Sequence, residues 1–260
     1  MSEDVVLYQK SDYIATITLN RPEARNALNP QLLEELNDAL RTAQRDEGVR
    51  VVILTGAGDK AFCAGGDVAG LGADVNPVEG HYARQSYVEF FQVMARLGKP
   101  TLAAVNGHAL GGGLGLVLAC DLAVAAERAT FGTPEINVGL FPMMVMASLF
   151  RNVGRKKGME LILTGERISA QEAERIGLIN RAVPDDQFEA AVAEMAQKLA
   201  SFSPAVLKLG RDAFYTMADM SFEDALTYLQ GMLTLNLLTE DAVEGIRAFL
   251  EKRKPEWKGR

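Results

Sequence analysis

The sequence predicts an α/β fold, a single sheet core of alternating strands and helices followed by a helical C-terminal region. Three observations carry that prediction. In the first half, compact or alternating apolar runs of strand length take turns with apolar residues at helical spacing. Beyond residue 142 helical spacing dominates and one further strand is expected. No low-complexity linker and no clean repeat interrupts the 260 residues, so the simplest partition is a core over 1–200 and a helical subdomain over 201–260.

Taken in order, residues 5–8 and 13–19 read as paired strands, the second alternating Ala15, Ile17 and Leu19 against Thr16 and Thr18. Asn29 and Pro30 form an N-cap and first-turn pair, and Leu32, Leu33, Leu36, Leu40 and Ala43 continue a helix that ends near Gly48. Residues 51–54 are a fully apolar strand closed by Thr55-Gly56-Ala57-Gly58, and an amphipathic helix is expected over about 82–97. Residues 101–105, bounded by Pro100 and Asn106-Gly107, read as a short strand covered on both faces. Gly111, Gly112 and Gly113 then open a buried helix through Leu114, Leu116, Val117, Leu118 and Ala119. Residues 121–126 form another strand, and 130–140, with Gly132, Pro134 and Gly139, a loop at the sheet edge. Later, Ser169-Ala-Gln-Glu172 is a capping box, Gly177 a C-cap, 178–183 the one late strand, and Ser203-Pro204, Ser221 and Thr239 helix starts. Leu226, Leu229, Leu233 and Leu237 make an apolar stripe that either packs on the chain's own core or buries against another subunit.

Composition excludes several classes. With 48% hydrophobic and 23% charged residues the chain is an ordinary globular sequence, not a disordered one. A formal net charge of −7 and a pI near 5.1 disfavour a general nucleic-acid or anionic-membrane binder. The start, Met-Ser-Glu-Asp-Val-Val, lacks the basic and apolar regions of a signal peptide, so a cytoplasmic protein is expected. Residues 100–120 are uncharged, yet their glycines, Asn106 and the following Asp121 indicate a strand, turn and helix inside a core, not a membrane span. The two cysteines, Cys63 and Cys120, lie far apart, and the only histidines are His81 and His108. That leaves little for a metal or a disulfide, and no metal is expected.

A helix opened by glycines directs backbone N–H groups out of its first turn, where they lack helical partners and suit an anion or a developing oxyanion. A tight turn with close helix packing accounts for the same glycines, and the triplet alone leaves both readings standing. Dinucleotide and P-loop motifs fail: residues 116 and 118 are Leu where Gly-x-Gly-x-x-Gly from Gly111 or Gly113 requires glycine, and no Gly-Lys-Ser/Thr follows. A second glycine loop, Ala61-Phe62-Cys63-Ala64-Gly65-Gly66-Asp67, follows the strand at 51–54 by about ten residues. If adjacent parallel strands deliver both loops to one sheet edge, N–H groups from each converge on one oxygen as an oxyanion hole.

Those loops, with Leu19-Asn20-Arg21-Pro22, Asn26-Ala27-Leu28, Ala104-Val105-Asn106-Gly107-His108-Ala109-Leu110, Cys120-Asp121, Phe131-Gly132-Thr133-Pro134-Glu135 and Leu163-Thr164-Gly165, resemble the crotonase superfamily, the enoyl-CoA hydratase/isomerase family. The resemblance runs in order over residues 19–165 and returns in the ending 249–260. It implies a spiral of ββα units, a helical C-terminal region that builds trimers, often paired into hexamers, and an acyl-CoA substrate with no separate cofactor. It implies oxyanion donors at the N–H groups of Gly66 and Gly112, an acid/base at Glu135, and substrate contacts at Arg25, Ala64, Gly65, Asp67, Val68, Gly111 and Gly113. Arg25, Lys60 and Lys99 are candidate phosphate contacts.

Family hydratases carry two glutamates, at positions matched here by Gly115 and Glu135, and the first is missing. The other acids between residues 101 and 150 are Asp121, at a family structural position, and Glu127, in a surface turn. One carboxylate suffices to take a proton from one carbon and return it to another, whereas hydration also requires an activated water. Double-bond isomerisation of an enoyl-CoA is therefore the leading expectation. A hydratase that recruits Glu79 or His81 from the segment 70–80, and a catalytically silent acyl-CoA-binding protein, are the alternatives.

Overall fold

The computed structural model of the chain describes residues 4–67 and 76–260. Its larger sheet has six strands in the order β1-β2-β3-β5-β7-β10. These are β1 (Val6–Ser11), β2 (Ile14–Leu19), β3 (Val51–Gly56), β5 (Thr101–Val105), β7 (Leu122–Ala126) and β10 (Arg181–Val183). All neighbours run parallel except the hairpin of β1 with β2. A second sheet has the order β4-β6-β8-β9, formed by β4 (Ala61–Cys63), β6 (His108–Leu110), β8 (Thr130–Gly132) and β9 (Arg167–Ser169).

The two sheets are interleaved along the chain. Three times a strand of the larger sheet is followed by a short strand of the smaller one and then by helix. The repeats are β3 and β4 before α2 (Pro77–Ala83) and α3 (Gln85–Ala95), β5 and β6 before α4 (Gly112–Ala119), and β7 and β8 before α5 (Met143–Asn152). This is the expected succession of ββα units, preceded by α1 (Pro30–Arg45), whose first turn is capped by Asn29 accepting from the Leu32 N–H at 2.9 Å.

Strand alternation divides the core into two layers. Val52, Leu54, Ala103 and Val105 face the layer that holds Leu32, Leu36 and Leu40 of α1, Phe90 and Met94 of α3, and Leu114 of α4. Val51, Ile53, Leu102, Ala104, Val124 and Ala126 face the other way, onto Phe188, Val192 and Ala196 of α8 (Phe188–Ala200). A sheet covered on both faces explains why β3 and β5 read as continuous apolar runs. Between these layers and the C-terminus run α6 (Arg155–Thr164) and α7 (Ala170–Arg175), and the chain closes with α9 (Pro204–Met217), α10 (Phe222–Leu237) and α11 (Glu240–Leu250).

Several expectations need correction. The helix over 82–97 is two helices, α2 and α3, that meet at Arg84. Residues 130–140 are not a plain loop: they hold β8 and a 3-10 turn, Pro134–Val138. The late strand shortens to Arg181–Val183, and β9 is a second one. Three-residue strands such as β9 carry too little alternation to be recognised without the partner they pair with. Ser169, Ser203, Ser221 and Thr239 all cap helices as expected. Of the stripe on α10, Leu226, Leu233 and Leu237 are more than half exposed on the single chain and Leu229 is half-buried, so the chain's own core covers it only in part.

The C-terminal helices are pinned to the sheet through one carboxylate. Asp121, at the start of β7, accepts from the Thr101 N–H and hydroxyl, from Arg211 Nε at 2.8 Å and from the Tyr215 hydroxyl at 2.8 Å. Arg211 is itself buried and also donates to the carbonyls of Met94 and Ala95. Arg211 is buried while Asp121 keeps contact with water, so removing the guanidinium loses three charge-assisted hydrogen bonds but leaves the carboxylate partly solvated. Arg211→Met is therefore expected to lower unfolding free energy by ~1–3 kcal/mol in denaturant titration.

Candidate active site

The site is assembled by strand register. In the smaller sheet β4 pairs parallel with β6, Cys63 opposite Ala109, and β6 pairs parallel with β8, Leu110 opposite Gly132. Three chain segments therefore leave adjacent parallel strands at one edge: Ala64-Gly65-Gly66, Gly111-Gly112 and Thr133-Pro134-Glu135. Both glycine loops emerge from the short strands β4 and β6, one step further along than the apolar strands seen in the sequence.

A third segment locks the first loop. The Ala64 N–H donates to the Arg25 carbonyl, the Leu28 N–H to the Gly65 carbonyl, and the Asp67 N–H to the Leu28 carbonyl. Arg25 and Asn26 both adopt positive φ, and the fully buried Asn26 side chain accepts from the Arg21 N–H and donates to the Ala57 and Ala61 carbonyls. That network offsets the left-handed backbone, which is otherwise unfavourable for residues with a Cβ. Arg21 reaches across to the Asp67 carboxylate at 3.2 Å, so Asp67 anchors its own loop.

Within this frame the Gly66 N–H makes no hydrogen bond among the described residues, and Gly112 is the first residue of α4. A Cβ placed on Gly112 would lie 3.6 Å from the Gly66 nitrogen, so the two N–H groups border one small space. The close approaches explain the glycines. A Cβ on Gly113 would fall 2.2 Å from the Cys63 carbonyl oxygen, and one on Gly65, at φ +101, 2.9 Å from the Leu110 carbonyl oxygen. Gly111, at φ +51, would bring a Cβ to 2.6 Å from Glu135 Oε1, which places the carboxyl group beside the paired loops. Glu135 Oε2 is buried with no hydrogen-bond partner among the described residues, and desolvation raises the carboxyl above its ordinary pKa. A desolvated carboxylate with one unpartnered oxygen beside two free donors can remove a proton next to a carbonyl whose developing oxyanion the donors hold.

One polar group at the site was missed by the sequence analysis. Tyr87 of α3 is 6% exposed, and its hydroxyl donates to the Gly112 carbonyl at 2.8 Å. A Cβ on Gly115 would stand 2.1 Å from that hydroxyl and 3.3 Å from Phe91. The position where a second carboxylate was looked for is thus filled from a different helix. No sequence spacing links residues 87 and 115; the aromatic run Tyr87, Phe90, Phe91 beside a glycine inside an apolar helix was the available signal.

The remaining candidates separate. Arg25, Ala64 and Lys60 line a cavity of about 330 Å³ with His108, Arg128 and Arg167. His108, which contacts the Thr130 hydroxyl at 2.8 Å, has its pKa lowered by desolvation and by Arg167 and Arg25. Lys99 is a correction: its ammonium donates to the carbonyls of Ala43 and Asp46 at the end of α1, away from both glycine loops. Local sequence exposes its charge but not that α1 ends against it. Val68 lies outside the described residues, as does the part of the 70–80 segment before Asn76. Glu79 and His81 are exposed on α2, and no described hydrogen bond joins them to Glu135. Among the described residues no group of three or more His, Cys, Asp or Glu side chains could hold a metal, and no helix is long and apolar enough to cross a membrane.

The Enoyl-CoA hydratase/isomerase family matches residues 9–260. A probable enoyl-CoA hydratase of Rhizobium meliloti is 39% identical across the whole of both chains. The short-chain-enoyl-CoA hydratase of Clostridium acetobutylicum is 36% identical over 96% of each chain, and the 2,3-dehydroadipyl-CoA hydratase of Escherichia coli 38% identical over the whole of both. Among solved structures, an enoyl-CoA hydratase of Mycobacterium smegmatis superposes with a TM-score of 0.95 at 37% identity, covering 98% of this chain and 99% of that one.

Because burial raises the Glu135 pKa, the folded chain binds this proton more tightly than the unfolded chain does. That contribution to stability is fully present below the ordinary carboxylate pKa and is lost as pH rises through the raised value. The stability of wild type relative to Glu135→Gln is expected to increase on acidification from pH 7 to pH ~4, measured by thermal unfolding at each pH. A second expectation is steric. Gly113→Ala, which drives a methyl into the Cys63 carbonyl, should destabilise by ~1–3 kcal/mol in urea titration, as overpacking does.

Proposed function

The chain belongs to the enoyl-CoA hydratase/isomerase family, whose members act on acyl-CoA thioesters, and on that premise we propose that it moves the double bond of an enoyl-CoA with Glu135 as its single acid/base. The observation that carries this reading is the Glu135 carboxyl, with one buried unpartnered oxygen, beside the paired donors of Gly66 and Gly112, with Gly115 and the Tyr87 hydroxyl where a second acid would be needed. The thioester oxygen sits between the two N–H groups. Glu135 takes a proton from the carbon next to the thioester of a 3-enoyl-CoA, and the electron pair delocalises onto the held oxygen as a dienolate. The same carboxyl group then returns the proton two carbons further along, giving the 2-enoyl-CoA and regenerating the base. Each hydrogen-bond donor of this kind is worth ~2.7–4 kcal/mol of barrier.

Arg25 and Lys60, in their basic cavity at the edge of the first loop, are assigned to the phosphates of the CoA moiety, and the backbone of residues 64–66 and 111–113 to the thioester end. Remote binding energy from the nucleotide serves to position the acyl group. The exposed stripe on α10 is assigned to contact between subunits in a trimer or a pair of trimers, because an apolar helix face of this extent left in water is unfavourable. Hydration is the second reading, favoured by the names of the similar proteins, and it would require a water activated by Glu135 alone.

Offered purified protein, a 3-enoyl-CoA should yield the 2-enoyl isomer faster than a 2-enoyl-CoA yields a 3-hydroxyacyl product, with products identified by mass and double-bond position. The reverse ranking would establish hydration. Glu135→Gln should lower turnover by ~10²–10⁴-fold while CoA-thioester affinity by calorimetry changes little. Turnover should also fall on acidification, with an apparent pKa above that of an ordinary carboxyl group, because the base acts only when ionised.

A further inference from the structure

We propose that Tyr87 is a specificity-determining residue of this site: its hydroxyl, fixed on the Gly112 carbonyl, occupies the space beside Gly115 in which a water molecule or a second acid would have to stand, and so confines the site to proton movement by Glu135. This rests on the proton-shuttle reading above.

The placement is tightly determined. The hydroxyl is 2.8 Å from the Gly112 oxygen, and a Cβ on Gly112 would be 3.6 Å from both this hydroxyl and the Gly66 nitrogen, so Tyr87 borders the paired donors directly. The ring is held edge-on by Phe91 at 5.0 Å between centroids and stacked on Phe90 at 6.4 Å, with 6% of the residue exposed. The enclosing rings and the hydrogen bond to Gly112 together hold the hydroxyl in that space. Desolvation, reinforced by the neighbouring Cys63 and Glu135, keeps the hydroxyl neutral, so it donates a hydrogen bond but does not serve as a base.

The two residues are reciprocal. A side chain at 115 would collide with Tyr87, and a tyrosine at 87 fits because 115 has none. Removing the hydroxyl alone frees the lone pair that Tyr87 occupied on the half-buried Gly112 carbonyl, which otherwise accepts only within the ladder of α4, and opens room for a water to take that place. That water would stand beside Gly115, bordering the space where the acyl group is held, which is where hydration needs it.

The experiment compares wild type, Tyr87→Phe, Gly115→Ala and the double variant. Given a 3-enoyl-CoA, folded Tyr87→Phe should raise the ratio of 3-hydroxyacyl to 2-enoyl product by ~10-fold over wild type, the order of discrimination that one placed polar group supplies. A ratio within about twofold of wild type overturns the proposal. The steric half needs no turnover: Gly115→Ala should lower Tm by ~5 °C in the presence of Tyr87 and by less than half of that in Tyr87→Phe. Equal shifts in both backgrounds also overturn it. Wild-type protein that converts no enoyl-CoA at all would instead sink the proton-shuttle reading on which the proposal stands, and that failure is visible before any variant is made.

Discussion

Everything chemical in this protein depends on the parallel register of three strands, each only three residues long. Because β4, β6 and β8 start level with one another, the segments that follow them reach the same edge together: Gly65-Gly66, Gly111-Gly112 and Glu135. A slip of one residue would turn every side chain of a strand to the opposite face and separate the donors from the acid. The larger sheet supplies the rigidity that such short strands lack. Its central strands are buried on both faces, and each feeds directly into a strand of the smaller sheet.

The cost of bringing backbone segments so close is met with glycine where a Cβ cannot be accommodated and with side-chain hydrogen bonds where it can. Gly113 and Gly65 allow contacts that any other residue would block. Asn26 takes the second route: in a left-handed conformation and fully buried, it satisfies one backbone donor and two backbone acceptors and thereby holds the turn that clamps the Gly66 loop. An oxyanion site of this kind is preorganised because its N–H groups are oriented by packing before a substrate arrives.

The same enclosure shapes the electrostatics. Among the described residues no ion pair reaches Glu135 and one of its oxygens has no partner, so burial lifts its pKa and makes it a stronger base once ionised. Tyr87 shares that dry environment and remains neutral. The pair gives one titrating group and one fixed donor, a simpler arrangement than two coupled carboxylates and one whose chemistry is correspondingly narrower.

From the sequence by itself came the identity of the elements with strong periodicity, β2, β3, α1 and the glycine-led α4, together with the two loops, the family resemblance, and the count of acids that leaves Glu135 alone. These are properties of neighbouring residues, and local spacing records them. Tertiary structure decided what depends on segments far apart in the chain. It put the Tyr87 hydroxyl in the space beside Gly115, turned Lys99 onto the carbonyls at the end of α1, and made short strands of 61–63, 108–110 and 167–169 through the partners they pair with. It also set the basicity of Glu135, because a pKa is raised by what surrounds a carboxyl group in space, and Pro134 and Ile136 reveal nothing of that.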